Sequence, residues 1–245
     1  MSLAWPVHHL GATDSTNSEA KRRVSENGFS DCWLVAESQS AGRGRLQKSW
    51  ISPVGNLFST ALFHEPGGLI VASRLPFAAA LAVSDVALLF APEADVRVKW
   101  PNDVRIDTAK LSGILIETGG SGADTWVAAG IGINVTHAPE GAGQRVASIS
   151  SLRGDSVVTT DMVLEALRKA FAERLIQARA GFDGLRQDWL ERAEGLGGMV
   201  RVTVSGAAIE GIFEDMDTSG ALILSLPDGS RQTIRAGDVD LIGRV

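Results

Sequence analysis

Cysteine is nearly absent from this chain of 245 residues, and the marks of secreted or membrane proteins are missing as well. The one cysteine, Cys32, cannot form an internal disulfide, which fits a reducing compartment. The first residues, MSLAWPVHHLGATDSTN, show no basic segment followed by an apolar one, so no secretion signal is expected. The longest apolar run, residues 75–91, contains Ser84 and Asp85 and is predicted to be too short and polar to cross a bilayer. We therefore expect a cytoplasmic protein outside the membrane.

Several motifs of catalysis and binding are also absent. The four histidines and the lone cysteine show no ligand spacing, so no zinc site is predicted. The sequence has no phosphate loop of the Gly-x-x-x-x-Gly-Lys type and no Gly-x-Ser-x-Gly nucleophile turn. A net charge of −6 argues against a general nucleic-acid binder. That charge still allows a local basic pocket that holds a small anion.

The distribution of apolar residues divides the chain into two regions. Before about residue 193, segments with helical spacing alternate with short apolar runs, which predicts an α/β domain. The predicted strands are residues 32–38, 56–63, 96–100, 111–117 and 125–135. After the glycine cluster at 195–198, short runs separated by turn residues predict a small all-β barrel. We place the two domains at residues 1–193 and 194–245.

Positive charge collects in one glycine-rich stretch, QSAGRGRLQKSW (residues 39–50). Its glycines allow backbone N–H groups to approach an anion, and Arg43 and Arg45 offer planar forks that match carboxylates and phosphates. Trp50 supplies a face on which a heterocycle can stack. This combination indicates a pocket for a nucleotide or an activated acid. Two alternatives stay open: a solvated surface loop anchored by the tryptophan, and a short nucleic-acid-binding segment.

Two stretches with lysine and acidic residues follow. In KWPND (99–103), Pro101 fixes a turn that brings Asn102 and Asp103 to the end of a strand, where α/β proteins bind ligands. Asp103 is a candidate Mg²⁺ ligand and Lys99 a candidate phosphate contact, although Pro-Asn-Asp also forms ordinary turns. In KLSGILIE (110–117), Lys110 precedes an apolar strand and can neutralise a transferring phosphoryl group, or simply face solvent.

The remaining two stretches are DSTN (14–17) and GIGINV (130–135). Thr16 and Glu19 have the spacing of a capping box, which predicts a helix start. GIGINV lacks the third glycine and the following helix of a dinucleotide-binding motif. Its glycines instead predict that a ligand or another backbone approaches the strand closely, with Asn134 as a candidate nucleotide contact.

The order of these motifs along the chain resembles the catalytic domain of bacterial biotin–protein ligases, and the small β-domain resembles the SH3-like C-terminal module of that family. The resemblance covers nearly the whole chain. It implies an α/β (α+β) fold in which a mixed sheet is flanked by helices, as in class II synthetases, followed by a small SH3-like β-barrel. In one departure, Leu46, Gln47 and Lys48 stand where the family often has another glycine and arginine.

The second departure concerns the N-terminus. Because DSTN begins at residue 14, we expect no preceding DNA-binding domain, and therefore a monofunctional ligase that does not bind DNA. The implied reaction joins biotin and ATP into biotinyl-5′-adenylate with Mg²⁺, then transfers biotin to a lysine of a biotin carboxyl carrier domain of a carboxylase. A lipoate–protein ligase of the same fold, a nucleic-acid-binding regulator and a non-catalytic sensor are the alternatives. Both a monomer and a homodimer are compatible with the sequence.

The resemblance also assigns roles to individual residues. It implies biotin binding by Ser15, Thr16, Asn17, Gln39, Arg43, Gly44, Arg45 and Lys110. It implies ATP or adenylate binding by Arg43, Arg45, Trp50, Lys99, Asn102, Lys110 and Asn134. Catalytic roles fall to Arg45, Lys110 and Asp103, and Asp103 is the expected Mg²⁺ ligand.

Overall fold

The computed structural model describes residues 5–26, 28–140, 143–152, 157–204 and 206–242. The first nine strands are β1 (Val7–His9), β2 (Ala12–Thr13), β3 (Cys32–Ala36), β4 (Ser38–Gln39), β5 (Leu57–His64), β6 (Val96–Lys99), β7 (Asp103–Ile106), β8 (Ala109–Gly119) and β9 (Trp126–Ile133). The helices are α1 (Thr16–Ser25), α2 (Gly68–Ala72), α3 (Leu75–Phe90), α4 (Thr160–Ala180) and α5 (Asp183–Glu191). The last five strands are β10 (Met199–Val204), β11 (Ala207–Met216), β12 (Leu222–Ser225), β13 (Arg231–Ile234) and β14 (Asp238–Leu241).

Seven strands form one mixed sheet in the order β1-β3-β5-β9-β8-β7-β6. β1 runs parallel to β3, and every other neighbouring pair is antiparallel. Helices α3, α4 and α5 pack on one face of this sheet, and α1 packs on the other face against β3, β5 and β9. The predicted α/β class, with a mixed sheet flanked by helices, is confirmed.

The central helix α3 is apolar on nearly every side and is packed into the core. Together with α2 it spans Gly68–Phe90, 23 residues, which is long and apolar enough by composition to cross a membrane. This segment includes α2 and is therefore longer than the run 75–91, which was expected to be too short and polar to cross a bilayer. In the fold, 67% of its most apolar window is buried inside the protein. The one charged residue of α3, Asp85, pairs with Arg174 and Arg192 at 2.8 and 2.6 Å.

The neighbouring strands β8 and β9 both carry glycines next to large apolar residues. Ile114 and Ile131 lie opposite each other and join the core under α3. The next pair, Gly113 and Gly132, also lie opposite each other and face the other way. Since successive side chains of a strand point to opposite faces, one face of this pair is packed under α3 and the other is bare at Gly113 and Gly132. That bare face forms the floor of a cavity.

The C-terminal strands form a separate antiparallel sheet in the order β13-β12-β11-β10-β14. The small all-β unit predicted from the sequence is present, although β14 was not predicted. This sheet contacts the larger one through Trp100, whose Nε1 donates to the carbonyl of Gly220 at 3.0 Å. Arg186 of α5 also donates to Asp215 of β11 at 2.5 and 2.6 Å.

The capping box expected at the start of α1 does not form. The N-cap residue is Ser15, and its own side chain makes no capping hydrogen bond. Glu19 instead pairs with Arg22 and Arg23 on the surface of the helix. The hydroxyl of Thr16 points away from the helix end toward Gln39 and Thr60. Contacts with residues distant in sequence have replaced the local ones that the spacing predicted.

A buried ion pair ties the start of the C-terminal region to the hairpin β7–β8. Arg105 donates to both carboxylate oxygens of Glu194 at 3.1 and 2.9 Å, and the Glu194 side chain is 5% exposed. Arg105 also donates to the carbonyl of Thr108 in the same hairpin. Removing one partner of such a pair leaves a buried charge without compensation.

We predict that Glu194→Ala lowers the free energy of unfolding by about 3–5 kcal/mol. The matched control is Glu210→Ala, because Glu210 pairs with Arg201 and both side chains are about half exposed. That variant should lose less than about 1 kcal/mol. Urea denaturation of the two variants beside the parent protein measures the difference. Equal losses in both variants would show that burial of the Arg105 pair does not matter.

Candidate active site

A cavity of about 390 Å³ lies over the glycine face of β8 and β9. Its lining includes residues of the loop 39–50, Asn102 and Asp103 at the turn before β7, Lys110, and Asp238 of β14. Every site residue predicted from the sequence lines this cavity except Lys99. Motifs spread over about half of the chain are therefore brought to one place by the mixed sheet.

One end of the cavity is built from a chain of polar side chains. The Gln39 amide oxygen accepts from the backbone N–H of Thr16 at 2.9 Å, and its Nε2 donates to Ser52 at 3.0 Å. Ser52 in turn donates to the carbonyl of Trp50 at 3.0 Å. The start of α1 and the basic loop are thus connected through Gln39. Such a connection restricts the rotamers of Thr16 and Gln39, two of the predicted biotin contacts.

Trp50 lies flat on the glycine floor. A Cβ at Gly132 would stand 2.6 Å from ring atoms of Trp50, and one at Gly113 would stand 2.9 Å away. Both positions must therefore lack a side chain for the indole to lie there. The Nε1 of Trp50 is buried and has no hydrogen-bond partner among the described residues. Lys110 Nζ lies 5.5 Å from the ring centroid, within the range of a cation–π contact.

The glycines of GIGINV accept side chains of the same chain. Gly132 makes room for Trp50, and Gly130 makes room for the amide of Asn17. A ligand or another backbone was expected to approach this strand; in the fold, side chains of the same chain make a close approach, which the sequence analysis did not foresee. Asn134, from the same stretch, is 1% exposed and donates to the carbonyl of Ala147 at 3.0 Å.

The cationic groups meet at the turn between β6 and β7. Lys110 Nζ lies 2.8 Å from a carboxylate oxygen of Asp103, and Arg45 donates to the side-chain oxygen of Asn102 at 3.2 Å. Burial lowers the pKa of Arg45, and the carboxylates of Asp238 and Asp103 oppose that shift. A guanidinium stays protonated at neutral pH. Two positive charges therefore stand beside adjacent residues of one turn.

The sequence analysis did not identify Asp238. This residue begins β14 and contributes a carboxylate to the cavity wall. Lys48 donates to Asp238 at 2.7 Å, and this hydrogen bond is the main reason that the pKa of Asp238 lies below its ordinary value. Lys99, which was predicted to meet a phosphate, donates instead to Asp240 at 3.2 Å and lies outside the wall. Only the pairing of β14 with β10 brings Asp238 here, so no local sequence signal marks it.

Arg43, the second arginine predicted to act in the loop, lies at the rim of the cavity. Its guanidinium donates to Glu117 and Ser18 at 3.4 and 3.3 Å, and Gly44 follows it in the wall. Glu117 also accepts from Lys21 and from the amide of Asn17. Burial raises the pKa of Glu117, but the hydrogen bonds from Lys21 and Asn17 outweigh that effect and hold it below the ordinary value.

The carboxylates of the cavity suit a metal that arrives with its substrate. Among the described residues, no group of three or more His, Cys, Asp and Glu side chains could hold a metal ion. Mg²⁺ in nucleotide sites is commonly bound by one or two carboxylates plus substrate phosphates and water. Asp103, which lines the cavity at 20% side-chain exposure, fits that mode as a single carboxylate ligand.

Comparison with known proteins agrees with this geometry. The model of the biotin/lipoate A/B protein ligase family matches residues 12–134, and that of the biotin protein ligase C-terminal domain matches residues 195–242. The chain is 39% identical over 237 residues to the biotin–[acetyl-CoA-carboxylase] ligase of Paracoccus denitrificans, covering 94% of this chain and 98% of that protein. It is 31% identical over 243 residues to the bifunctional ligase/repressor BirA of Escherichia coli, covering 95% of this chain and 73% of that one.

A solved structure gives the same result. The biotin protein ligase from Aquifex aeolicus, in complex with biotin and ATP, superposes with a TM-score of 0.80 at 26% identity, over 96% of this chain and 98% of that chain. The chain therefore belongs to the biotin protein ligases of the biotin/lipoate A/B protein ligase family. The resemblance inferred from the ordered motifs is confirmed.

We predict that the stabilisation by Glu117 depends on pH. Its pKa in the folded protein lies below the ordinary 4.5. Its contribution is therefore complete above that value and is lost as the pH falls through the lower folded pKa. Glu117→Gln should reduce the free energy of unfolding at about pH 7, and the deficit should shrink between about pH 5 and pH 3. Glu93→Gln, at an exposed position on another part of the chain, should follow the parent protein throughout. A deficit for Glu117→Gln that is constant with pH contradicts the prediction.

Proposed function

We propose that this protein is an ATP-dependent biotin protein ligase that makes biotinyl-5′-adenylate and then biotinylates a lysine of a biotin carboxyl carrier domain. The observation that carries the proposal is the meeting of Arg45 and Lys110 at the Asn102–Asp103 turn, inside one cavity of a chain that belongs to this family. The relatives named above support biotin and ATP as substrates, and the name of the Paracoccus denitrificans protein supports a carboxylase as the acceptor.

The main obstacle in the first step is the approach of two anions. The carboxylate of biotin must attack the α-phosphorus of ATP, and pyrophosphate leaves. Arg45 and Lys110 would offset the repulsion and stabilise the charge that develops on the α-phosphoryl oxygens. For Lys110 to do so, its ammonium, 2.8 Å from the carboxylate of Asp103, would exchange that carboxylate for substrate oxygens. Asn102 and Trp50 would hold the nucleotide, the latter by stacking.

In the second step a lysine amine attacks the carbonyl carbon of the adenylate, and AMP leaves. The mixed anhydride is sensitive to water, so the loop 39–50 must cover it. The hydrogen bond from the backbone N–H of Trp50 to the carbonyl of Gly42, at 2.9 Å, and the contact of Lys48 with Asp238 support a cover of this kind. The acceptor lysine must still reach the anhydride from outside.

We assign the remaining predicted residues on the same basis. Ser15, Thr16, Asn17 and Gln39 would bind biotin at the polar end of the cavity, and Arg43 and Gly44 would close over it. Asp103 would hold the Mg²⁺ that accompanies ATP and neutralises its phosphates. Of the two other predicted nucleotide contacts, Lys99 lies outside the cavity wall and donates to Asp240, and Asn134 lies in the wall with its amide donating to the carbonyls of Lys110 and Ala147.

Two further features of the proposal concern where and how the protein acts. The lone cysteine is buried, which supports a reducing, cytoplasmic location. The three cations of the loop are engaged by Glu117, Asn102 and Asp238, which opposes a role in binding DNA. We also propose the division into a catalytic domain at 1–193 and a C-terminal domain at 194–245, supported by the separate five-stranded sheet.

The direct test supplies the purified protein with ATP, magnesium and either biotin or lipoate, and measures pyrophosphate release. We predict release with biotin and none above background with lipoate. Addition of a carrier domain should then yield a biotinylated lysine and AMP. Consumption of lipoate without biotin would favour the lipoate ligase alternative. Absence of pyrophosphate with both acids would eliminate a ligase altogether.

We predict that Lys110→Ala and Arg45→Ala each slow adenylate formation by about 10²–10³-fold, because each removes a preorganised charge from the reacting phosphate. Lys169→Ala is the matched control, since Lys169 is 64% exposed on α4 and far from the cavity. Single-turnover pyrophosphate release measures the rates, and thermal unfolding checks that the variants are folded. A folded variant with the parent rate would remove that residue from the reaction.

A further inference from the structure

A buried hydroxyl stands directly behind the polar end of the cavity. Thr60 of β5 is 0% exposed and is not part of the cavity wall. Its Oγ1 lies 2.6 Å from Oδ1 of Asn17 and 2.8 Å from Oγ1 of Thr16. A single hydroxyl therefore contacts two of the residues assigned to biotin. Its own strand neighbour is Gly130, whose missing side chain leaves the space that the Asn17 amide fills.

The orientation of the Asn17 amide is fixed by its other contacts. Its Nδ2 donates to the carbonyl of Leu115 at 3.2 Å and to Oε2 of Glu117 at 3.0 Å. Both of these groups only accept hydrogen bonds, so the nitrogen cannot exchange places with the oxygen. Oδ1 must then face Thr60. An amide oxygen has no proton to give, and the one proton of the Thr60 hydroxyl is therefore donated to Asn17.

This assignment determines the direction of the next hydrogen bond. The oxygens of Thr16 and Thr60 are 2.8 Å apart, and such a distance between two hydroxyls requires a proton between them. Because the proton of Thr60 points to Asn17, the proton of Thr16 must point to Thr60. The alternative acceptor, Oε1 of Gln39, is farther from Thr16 Oγ1, at 3.3 Å. Thr16 Oγ1 can therefore offer only lone pairs, and no proton, to a ligand in the cavity.

We propose that Thr60 is a positioning residue that sets ligand specificity by holding Thr16 Oγ1 as a hydrogen-bond acceptor. The ligand group it selects is an N–H donor. A cyclic urea such as that of biotin carries two N–H groups, whereas the dithiolane ring of lipoate carries none. The inference rests on the proposed function and adds that the Thr60 hydroxyl gives the site its preference for ligands with N–H donors. It also explains why a residue without access to the ligand lies in a hydrogen-bonded chain with two residues of the wall.

The test replaces Thr60 by Val, which keeps the shape and removes the hydroxyl. We expect Thr60→Val to weaken biotin binding by about tenfold or more, since Thr16 can then turn its proton toward the ligand and leave Asn17 unsatisfied. Thr60→Ser keeps the hydroxyl and should bind biotin as the parent protein does. Thr125→Val, which removes another fully buried threonine hydroxyl far from the cavity, is the control and should leave biotin binding unchanged. The KM for ATP should be the same in all four proteins.

A second ligand separates positioning from a general loss of structure. Desthiobiotin keeps the cyclic urea and should lose the same factor in Thr60→Val as biotin. A biotin analogue methylated on the ureido nitrogens has no N–H to donate, so its weak binding should not change between the parent protein and Thr60→Val. Equal losses for the methylated analogue and for biotin would overturn the inference and assign Thr60 a purely structural role.

Folding and function are checked separately. If Thr60→Val does not fold, Thr60→Ala and Thr60→Ser differ by one oxygen and give the same comparison at smaller volume. Calorimetric titration measures binding without turnover. Biotin affinity that is equal in the hydroxyl-bearing and hydroxyl-lacking variants would refute the role of Thr60. Failure of the parent protein to bind biotin would instead refute the proposed function.

Discussion

The site depends on three glycines of β8 and β9 that leave one face of the sheet bare beneath Trp50 and Asn17. Gly113 and Gly132 lie opposite each other, and Gly130 lies next to them along β9. The same two strands place Ile114 and Ile131 on the other face, in the core beneath α3. Because side chains alternate between the two faces of a strand, one set of positions can pack in the core while the other forms the floor of the cavity. A side chain at Gly132 would overlap the ring of Trp50, and one at Gly130 would displace the Asn17 amide that Thr60 holds.

The charged side chains that line the cavity determine which ligands can bind above this glycine floor. The protein as a whole carries net charge −6, yet Arg43, Arg45 and Lys110 all reach the cavity. Within the described residues, each of these cations already has a polar partner in the chain. For Arg43 and Lys110, which already pair with carboxylates, binding of an anionic substrate then becomes an exchange of one acidic partner for another. Such an exchange favours ligands with several anionic oxygens, which a triphosphate and a carboxylate supply together.

The sequence was sufficient for the strands with strong apolar runs and for the motifs that meet at the cavity. It did not reveal β7, because residues 103–106 directly follow Pro101 and were interpreted as part of the same turn. It did not reveal Asp238, which reaches the cavity only through the pairing of β14 with β10. The capping box failed for a related reason, since the Thr16 hydroxyl is held by Thr60, 44 residues away. Local spacing identifies elements, whereas partners distant in sequence decide which oxygen is free for a ligand.

The same distinction bears on the C-terminal sheet. It touches the catalytic part at the points where the site is formed: Gly220 holds Trp100 beside the β6–β7 turn, and Asp238 holds Lys48 in the loop. Glu194, just before the sheet, anchors the hairpin that carries Asp103 and Lys110. A small antiparallel sheet of this size has little core of its own, so these contacts stabilise both parts together. Because the loop contact is an exposed ion pair and the other two are buried, the turn is held firmly while the loop can release at small cost. A rigid turn beside a releasable loop is the combination that an enzyme needs if it must both orient an adenylate and admit an acceptor lysine to it.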